Sequence, residues 1–399
     1  MINQENTIKK ENKIIYLDNA ATTKPLQEVI DIVAETQKHN YGNASSLHRL
    51  GLNAEDILDN CRNMIAKSIN ANADEIIFTS GGTESNNLAI KGFLKNKKGK
   101  IITTTIEHPS VLNVFKELEN DFEVVYINVD REGFIDLEEL KNAVDNKTLL
   151  VSIIHGNNEI GTIQDIKTIS KIVKEKNPET IIHIDACQSF TKTNINVKDL
   201  NIELISLNAH KIHGPKGVGA LFVKSGIKIN QIMQGGLQEQ NKRPGTENIS
   251  AIIGFAKAVE IAMNEKQKNI EHLKELQKYM IDKILSEIPN TELNGPKDFS
   301  KRLCNNINIT FNFIEGEAML IMLNEKGICV STGSACSSKK LEPSHVILAL
   351  GKKHEQAHGT IRFSLSKFNT KQEIDYAIEK LKKAVEILRK ISHLTKINS

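Results

Sequence analysis

Short β-branched runs alternate with longer amphipathic stretches through the first two-thirds of this sequence, and that alternation restricts the fold more than any other feature. The runs are IIYL from Ile14, EIIFT from Glu75, KIITTT from Lys100, EVVYINV from Glu123, TLLVSII from Thr148, TIIHID from Thr180, ELISL from Glu203 and GALFV from Gly219. Strand then helix, repeated, is the pattern of an α/β sheet. Several runs are apolar at consecutive positions, as strands are when helices cover both faces of a mostly parallel sheet. From Ile249 the periodicity turns helical for roughly 40 residues, with apolar side chains at three and four spacing. After turns at Pro289 and Gly295-Pro296 come the strand-like NNINITFNF, a helix around EGEAMLIMLNEKG, the strand-like ICVS and RFSL, and a last helix striped by Ile374, Ile378, Leu381, Val385 and Leu388. The expected organisation is a large α/β domain over 14–262 and a smaller α+β domain over 263–399, with 1–13 as an N-terminal extension.

Charge and cysteine usage exclude several function classes. The 52 Lys and Arg against 49 Asp and Glu leave a formal charge of +3. That balance points to neither direct nucleic-acid binding nor an anionic membrane surface. The N-terminal MINQENTIKKENK is polar and lysine-rich without an apolar core segment, and no apolar run approaches the roughly 20 residues of a spanning helix. A cytoplasmic location is expected. Cys61, Cys187, Cys304, Cys329 and Cys336 are odd in number and scattered, with no C-x-x-C pair. A disulfide framework is not expected, and any cysteine chemistry must rest on a single thiol.

Four segments carry chemistry. No G-x-G-x-x-G follows a strand, and Leu94 stands where a P-loop ending at Gly99-Lys100 would need glycine. The phosphate candidate is instead Ser80-Gly81-Gly82-Thr83-Glu84-Ser85-Asn86-Asn87, between EIIFT and the helical LAIKGF. Glycines at a strand-to-helix turn let backbone N–H groups approach an anion, although the same residues make a good structural junction. In Ser206-Leu207-Asn208-Ala209-His210-Lys211-Ile212-His213-Gly214-Pro215, a lysine follows a strand and precedes a rigid turn, a place from which it can form a Schiff base. The pairs His210/His213 and His354/His358 lack a further carboxylate or cysteine ligand at zinc-motif spacing, so no metal is expected. In HIDACQ, Asp185 ends a buried-type strand, where it can face a protonated ring nitrogen or cap a helix. Finally, Val330-Ser331-Thr332-Gly333-Ser334-Ala335-Cys336-Ser337-Ser338 reads as an exposed loop, 330–340, with one thiol.

Together these segments resemble the cysteine desulfurases of the NifS/IscS type. The matching stretches include YLDNAATT, YGNASSLHRLG, SGGTESNN, IEHPSVL, HGNNEIGTIQDI, HIDACQ, AHKIHGPKGVGAL, RPGTEN, STGSACSS and RFSLSKFNT, and they run nearly the length of the chain. The resemblance implies a pyridoxal-phosphate enzyme of fold type I, in the class V aminotransferase group, that works as a homodimer on L-cysteine. It implies that Lys211 carries the cofactor and moves the substrate's α-proton, and that Asp185 keeps the ring nitrogen protonated. Gln188 and Asn158 would bond the ring's phenolic oxygen, His108 would stack on the ring and assist proton transfer, and Gly82, Thr83 and His210 would hold the phosphate. Thr246 would reach the phosphate of the neighbouring subunit, Arg362 would clamp the substrate carboxylate, with Asn158 beside it, and Cys336 would be the nucleophile. Sulfur would leave as a Cys336 persulfide for an iron–sulfur scaffold or another acceptor. The spacing from Cys336 to Arg362 is like that of the long-loop subgroup. Asn208 stands where the family usually has a phosphate-binding serine. The same motifs are compatible with a selenocysteine lyase, another class V enzyme, or a catalytically silent assembly-partner subunit.

Overall fold

The computed structural model describes residues 14–332 and 342–392. A seven-stranded sheet is built from β2 (Ile76–Thr79), β3 (Lys100–Thr104), β4 (Glu123–Ile127), β5 (Thr148–Ile154), β6 (Ile181–Asp185), β7 (Leu204–Asn208) and β8 (Gly219–Val223), in the order β2-β8-β7-β6-β5-β3-β4. β3 pairs in parallel with β4 and β5, β5 with β6, and β6 with β7, whereas β8 runs antiparallel to both β7 and β2. Consecutive apolar residues in these strands serve two different cores. Ile102, Val151, Ile182 and Ile205 face one layer with the helices Ile166–Lys176 and Ile249–Asn264, while Ile101, Leu150, Ile181 and Leu204 face the layer holding helix Pro109–Leu118. Successive side chains on a strand point to opposite faces, so a strand sandwiched between helices must be apolar at every position.

A second, antiparallel sheet of order β12-β13-β10-β9 joins β9 (Thr291–Leu293), β10 (Asn306–Phe311), β12 (Ser331–Thr332) and β13 (Thr360–Ser364). Its core takes in the terminal helix Lys371–Ile391 through the Ile374, Ile378, Leu381, Val385 and Leu388 stripe. The first run of the sequence does not enter the large sheet. β1 (Ile15–Tyr16) pairs in parallel with β11 (Ile328–Cys329), and Ile15 and Leu17 lie in this second core. The long helical stretch after Ile249 is two helices, Ile249–Asn264 and Lys266–Glu287, meeting at Glu265. Val259 and Ala258 still pack in the large-sheet core, whereas Leu273, Leu276 and Met280 pack in the second one. The change of core, which a continuous three-and-four spacing does not announce, is what the break accommodates. Among the described residues no helix is long and apolar enough to cross a membrane.

Arg302 ties the second sheet to the loop after β5. Fully buried, it donates from Nε to the Pro296 carbonyl (2.9 Å), from Nη1 to the Ile160 carbonyl (2.9 Å) and Asn306 Oδ1 (3.2 Å), and from Nη2 to the Asn294 carbonyl. Removing it strands these acceptors and opens a cavity. Arg302→Ala is expected to lose about 3–5 kcal/mol, read as a lower urea midpoint, and Arg302→Lys to recover only part of it.

Candidate active site

The loops that leave the C-terminal ends of β2, β3, β5, β6 and β7 converge on one cavity of about 400 Å³. This edge of an open α/β sheet is where ligands bind, because strand ends stop there and loops diverge. Gly82, Thr83, His108, Asn158, Asp185, Gln188, Asn208, His210, Lys211 and Arg362 all line it. After β2, Gly81 adopts φ 151° as the cap of helix Gly82–Asn87. That conformation is one L side chains rarely adopt. A Cβ at Gly82 would lie 2.5 Å from Cys187 Sγ, so bare backbone is required where the turn meets the strand β6 loop.

Asp185, at the end of β6, is buried yet held below the ordinary carboxylate range. Burial alone would raise it; His108 nearby, the Cys187 N–H (2.9 Å) and the Asn86 amide (2.8 Å) outweigh that. Asn86 Nδ2 also lies 2.8 Å from Ser110 Oγ, which lies 2.7 Å from His108 Nδ1. His108 caps helix Pro109–Leu118, and burial followed by the Lys211 charge pushes its ring down to about 4. The Asn208 amide oxygen is buried and has no hydrogen-bond partner among the described residues. Gln188 donates from Nε2 to the Ala20 carbonyl (2.8 Å), which fixes its amide against the Tyr16–Thr23 segment.

Lys211 sits in a turn whose backbone is pinned. The Ala209 carbonyl accepts from Ile212 and Gly214 (3.0 Å each), the His210 carbonyl accepts from the Thr23 hydroxyl (2.8 Å), and the Lys211 carbonyl accepts from Lys192 Nζ (3.3 Å). Arg362, on β13, reaches across from the second sheet. Its Nη2 pairs with Asp18 at 2.9 Å, its Nη1 donates to the Asn158 carbonyl at 3.1 Å, and its buried Nε has no hydrogen-bond partner among the described residues. Thr246 is not brought into this cavity. It lines a separate one of about 250 Å³ with Thr79, Ser80 and Arg243. Cys336 lies outside the described residues. His358, which follows Glu355 by three residues on helix His354–His358, stands with Glu315 and Glu317 in space, their ligand atoms within 4.8 Å of one another.

Sequence reasoning assigned nothing to Asn86, Ser110, Asp18, Glu107, Glu159 or His345, although most of them fall in or beside the quoted motifs. Burial pushes Glu107 up to about 8 and Glu159 up to about 7. Glu107 accepts from the Thr104 hydroxyl (2.7 Å) and the Ile154 N–H (2.9 Å), and Glu159 from Ser344 at 2.5 Å. His345 Nε2 donates to the Glu107 carbonyl (2.9 Å). These groups give stability a pH optimum. The folded state holds the Glu107 and Glu159 protons more tightly than the unfolded chain, so stability falls as pH rises from 4.5 through 7 and 8. His108, His155 and His183 are held neutral to about 4, so their contribution is full above the ordinary 6.5 and is lost as pH falls toward 4. Thermal unfolding of the cofactor-free protein is expected to peak near pH 6.5 and to fall on both sides.

A large, mostly parallel sheet with a lysine, a buried ionised aspartate and a guanidinium from a second sheet around one cleft defines a class of enzyme-like α/β protein, and its sequence profile settles which. The chain belongs to the class-V aminotransferase family, whose Aminotransferase class-V profile matches residues 15–377. It is 49% identical over 382 residues to the cysteine desulfurase IscS of Dictyoglomus turgidum, covering 95% of this chain and 96% of that one. A solved NifS-like protein superposes with a TM-score of 0.88 at 36% identity, over 94% of this chain and 100% of that one. The structure of SspA in complex with cysteine superposes with a TM-score of 0.78 at 34% identity, over 89% of this chain and 99% of that one.

Proposed function

We propose that this chain is a cysteine desulfurase that uses pyridoxal 5′-phosphate to remove sulfur from L-cysteine, giving L-alanine and a persulfide on Cys336 for an acceptor protein. The observation that carries the reading is the buried Asp185 carboxylate, held ionised in the same cavity as Lys211 and Arg362. A buried, ionised aspartate that lines a cleft suits a protonated ring nitrogen. The bare backbone at Gly82 and the adjacent Thr83, Asn208 and His210 suit a phosphate. Among the described residues the buried Arg362 Nε has no acceptor, and an amino-acid carboxylate would supply one. The residues therefore fit the cofactor and the substrate. The desulfurase name of the Dictyoglomus relative and the cysteine complex of SspA support the same choice.

When bound, the cofactor supplies an electron sink for the bonds around the amino acid's α-carbon. Lys211 would hold it and take the proton from that carbon. Asp185 would maintain the positive ring nitrogen, Gln188 and Asn158 would donate to the phenolic oxygen, and His108 would stack on the ring. The Cys336 thiolate attacks the substrate sulfur, and the sulfur stays on Cys336 as the carbon–sulfur bond breaks. Thr246, displaced from this chain's own cavity, serves the site of a second copy in a homodimer. The persulfide passes to an acceptor for iron–sulfur cluster assembly or tRNA thiolation.

The test is to incubate purified protein with L-cysteine, follow near-visible absorbance, and assay alanine together with the mass of Cys336. Equimolar alanine and sulfane sulfur on Cys336 are expected. A yellow protein that makes no alanine points to another class V reaction, and a colourless one that added cofactor cannot restore sinks the assignment.

A further inference from the structure

Asn86 and Ser110 connect the two groups expected to hold the cofactor's ring. Asn86 Nδ2 is within 2.8 Å of both Asp185 Oδ2 and Ser110 Oγ. A carboxylate only accepts, so the amide's nitrogen, not its oxygen, must face Asp185. One of its two hydrogens goes to Asp185 and the other to Ser110 Oγ. The Asn86 oxygen is left buried without a partner among the described residues, so this orientation is kept for the two bonds the amide donates. Ser110 Oγ, already an acceptor, has its own hydrogen to give, and His108 Nδ1 stands 2.7 Å away. The Ser110 backbone N–H points to the same nitrogen at 3.1 Å. The backbone N–H is a fixed donor, so a proton on Nδ1 would face it, and with Nδ1 bare the Ser110 hydroxyl can donate there as well.

We propose that Asn86 and Ser110 are positioning residues that hold His108 with Nδ1 bare and its proton on Nε2. The chain runs from Asp185 through one amide and one hydroxyl to His108, so the carboxylate's state and the ring's tautomer are coupled. Nε2 makes no hydrogen bond to the described residues, and the ring lines the cavity, so His108 offers the bound ligand a donor there. The inference rests on the desulfurase reading for its effect on turnover, but not for the tautomer itself. Asp185, Lys211, Arg362 and His345 are the charged or titratable groups that act on the ring, and Glu107 precedes it in the chain. Asp185 favours protonation and the other three oppose it.

The test is nitrogen NMR of protein labelled at histidine, with and without pyridoxal phosphate, the His108 signals being assigned by their loss in His108→Gln. Wild type is expected to show a bare Nδ1 and a protonated Nε2. Ser110→Ala removes one donor from Nδ1, so the ring's proton affinity should rise about tenfold, and the acid limb of the kcat profile should move up by about one pH unit. Ser110→Thr keeps the hydroxyl and should restore both. A wild-type ring protonated at Nδ1, or a Ser110→Ala ring that titrates as wild type, overturns the proposal. A protein without desulfurase activity would sink the proposed function, yet the NMR result would still decide this one.

Discussion

Lys211→Ala protein is expected to fold, to show no near-visible band when pyridoxal phosphate is added, and to lose desulfuration by about 10³-fold or more. The turn's carbonyls accept from the Thr23 hydroxyl, the Ile212 and Gly214 N–H groups and Lys192 Nζ, none of which uses the Lys211 side chain. Truncation should therefore leave the cleft's shape intact and remove only the amine. The measurement is the absorbance spectrum together with the mass of borohydride-reduced protein. Wild type should gain the reduced cofactor at Lys211 and the variant should not. A variant that keeps the band and the rate would falsify the role given to Lys211.

Cys336→Ala should do the opposite, keeping the cofactor band and its response to L-cysteine while losing alanine and sulfide release by about 10³-fold or more. The case against any other thiol comes from burial. A nucleophilic cysteine must be a thiolate near neutral pH, which needs exposure or a nearby cation. Burial pushes Cys61 up to about 12 and Cys304 up to about 11, and holds Cys187 well above its ordinary value. Cys329 is also raised, by burial and then by Asp18. Cys187 is the instructive one, because it lines the cavity and still has the wrong electrostatics, beside Asp185. Alanine assays and mass spectrometry of the treated protein decide between them. Wild-type alanine production by Cys336→Ala would remove the proposed nucleophile.

Much of the architecture was legible because it is written locally. Pairs such as Ile101-Ile102 and Ile181-Ile182 advertise a strand covered on both faces, and the Ile374 to Leu388 stripe advertises a helix laid on a core. IIYL was harder. Its two-residue strand looks like the first of the α/β series, and only pairing with Ile328–Cys329 places it in the second core. The helical run from Ile249 has the right period throughout, so nothing in it announces that Val259 and Leu273 belong to different cores. At the site, glycine, lysine and aspartate stood out because their positions after strands are unusual for their chemistry. Asn86 and Ser110 did not, since an amide and a hydroxyl near a helix start are also ordinary capping residues.

The sequence by itself determined the α/β class, the position of Lys211 after a strand, Asp185 at a strand end, and the candidacy of Cys336, all of which follow from residue type and period within short windows. Tertiary structure alone decided that β8 runs antiparallel between β2 and β7, that Arg362 enters the cleft from the second sheet, and that Asn86 meets Asp185 across 99 positions of chain. The physical reason is that burial periodicity is a local property of a helix or strand. Hydrogen-bond partners and ionisation states are set by groups that approach only after the chain has closed, so a carboxylate's charge is decided by neighbours that no window around it contains.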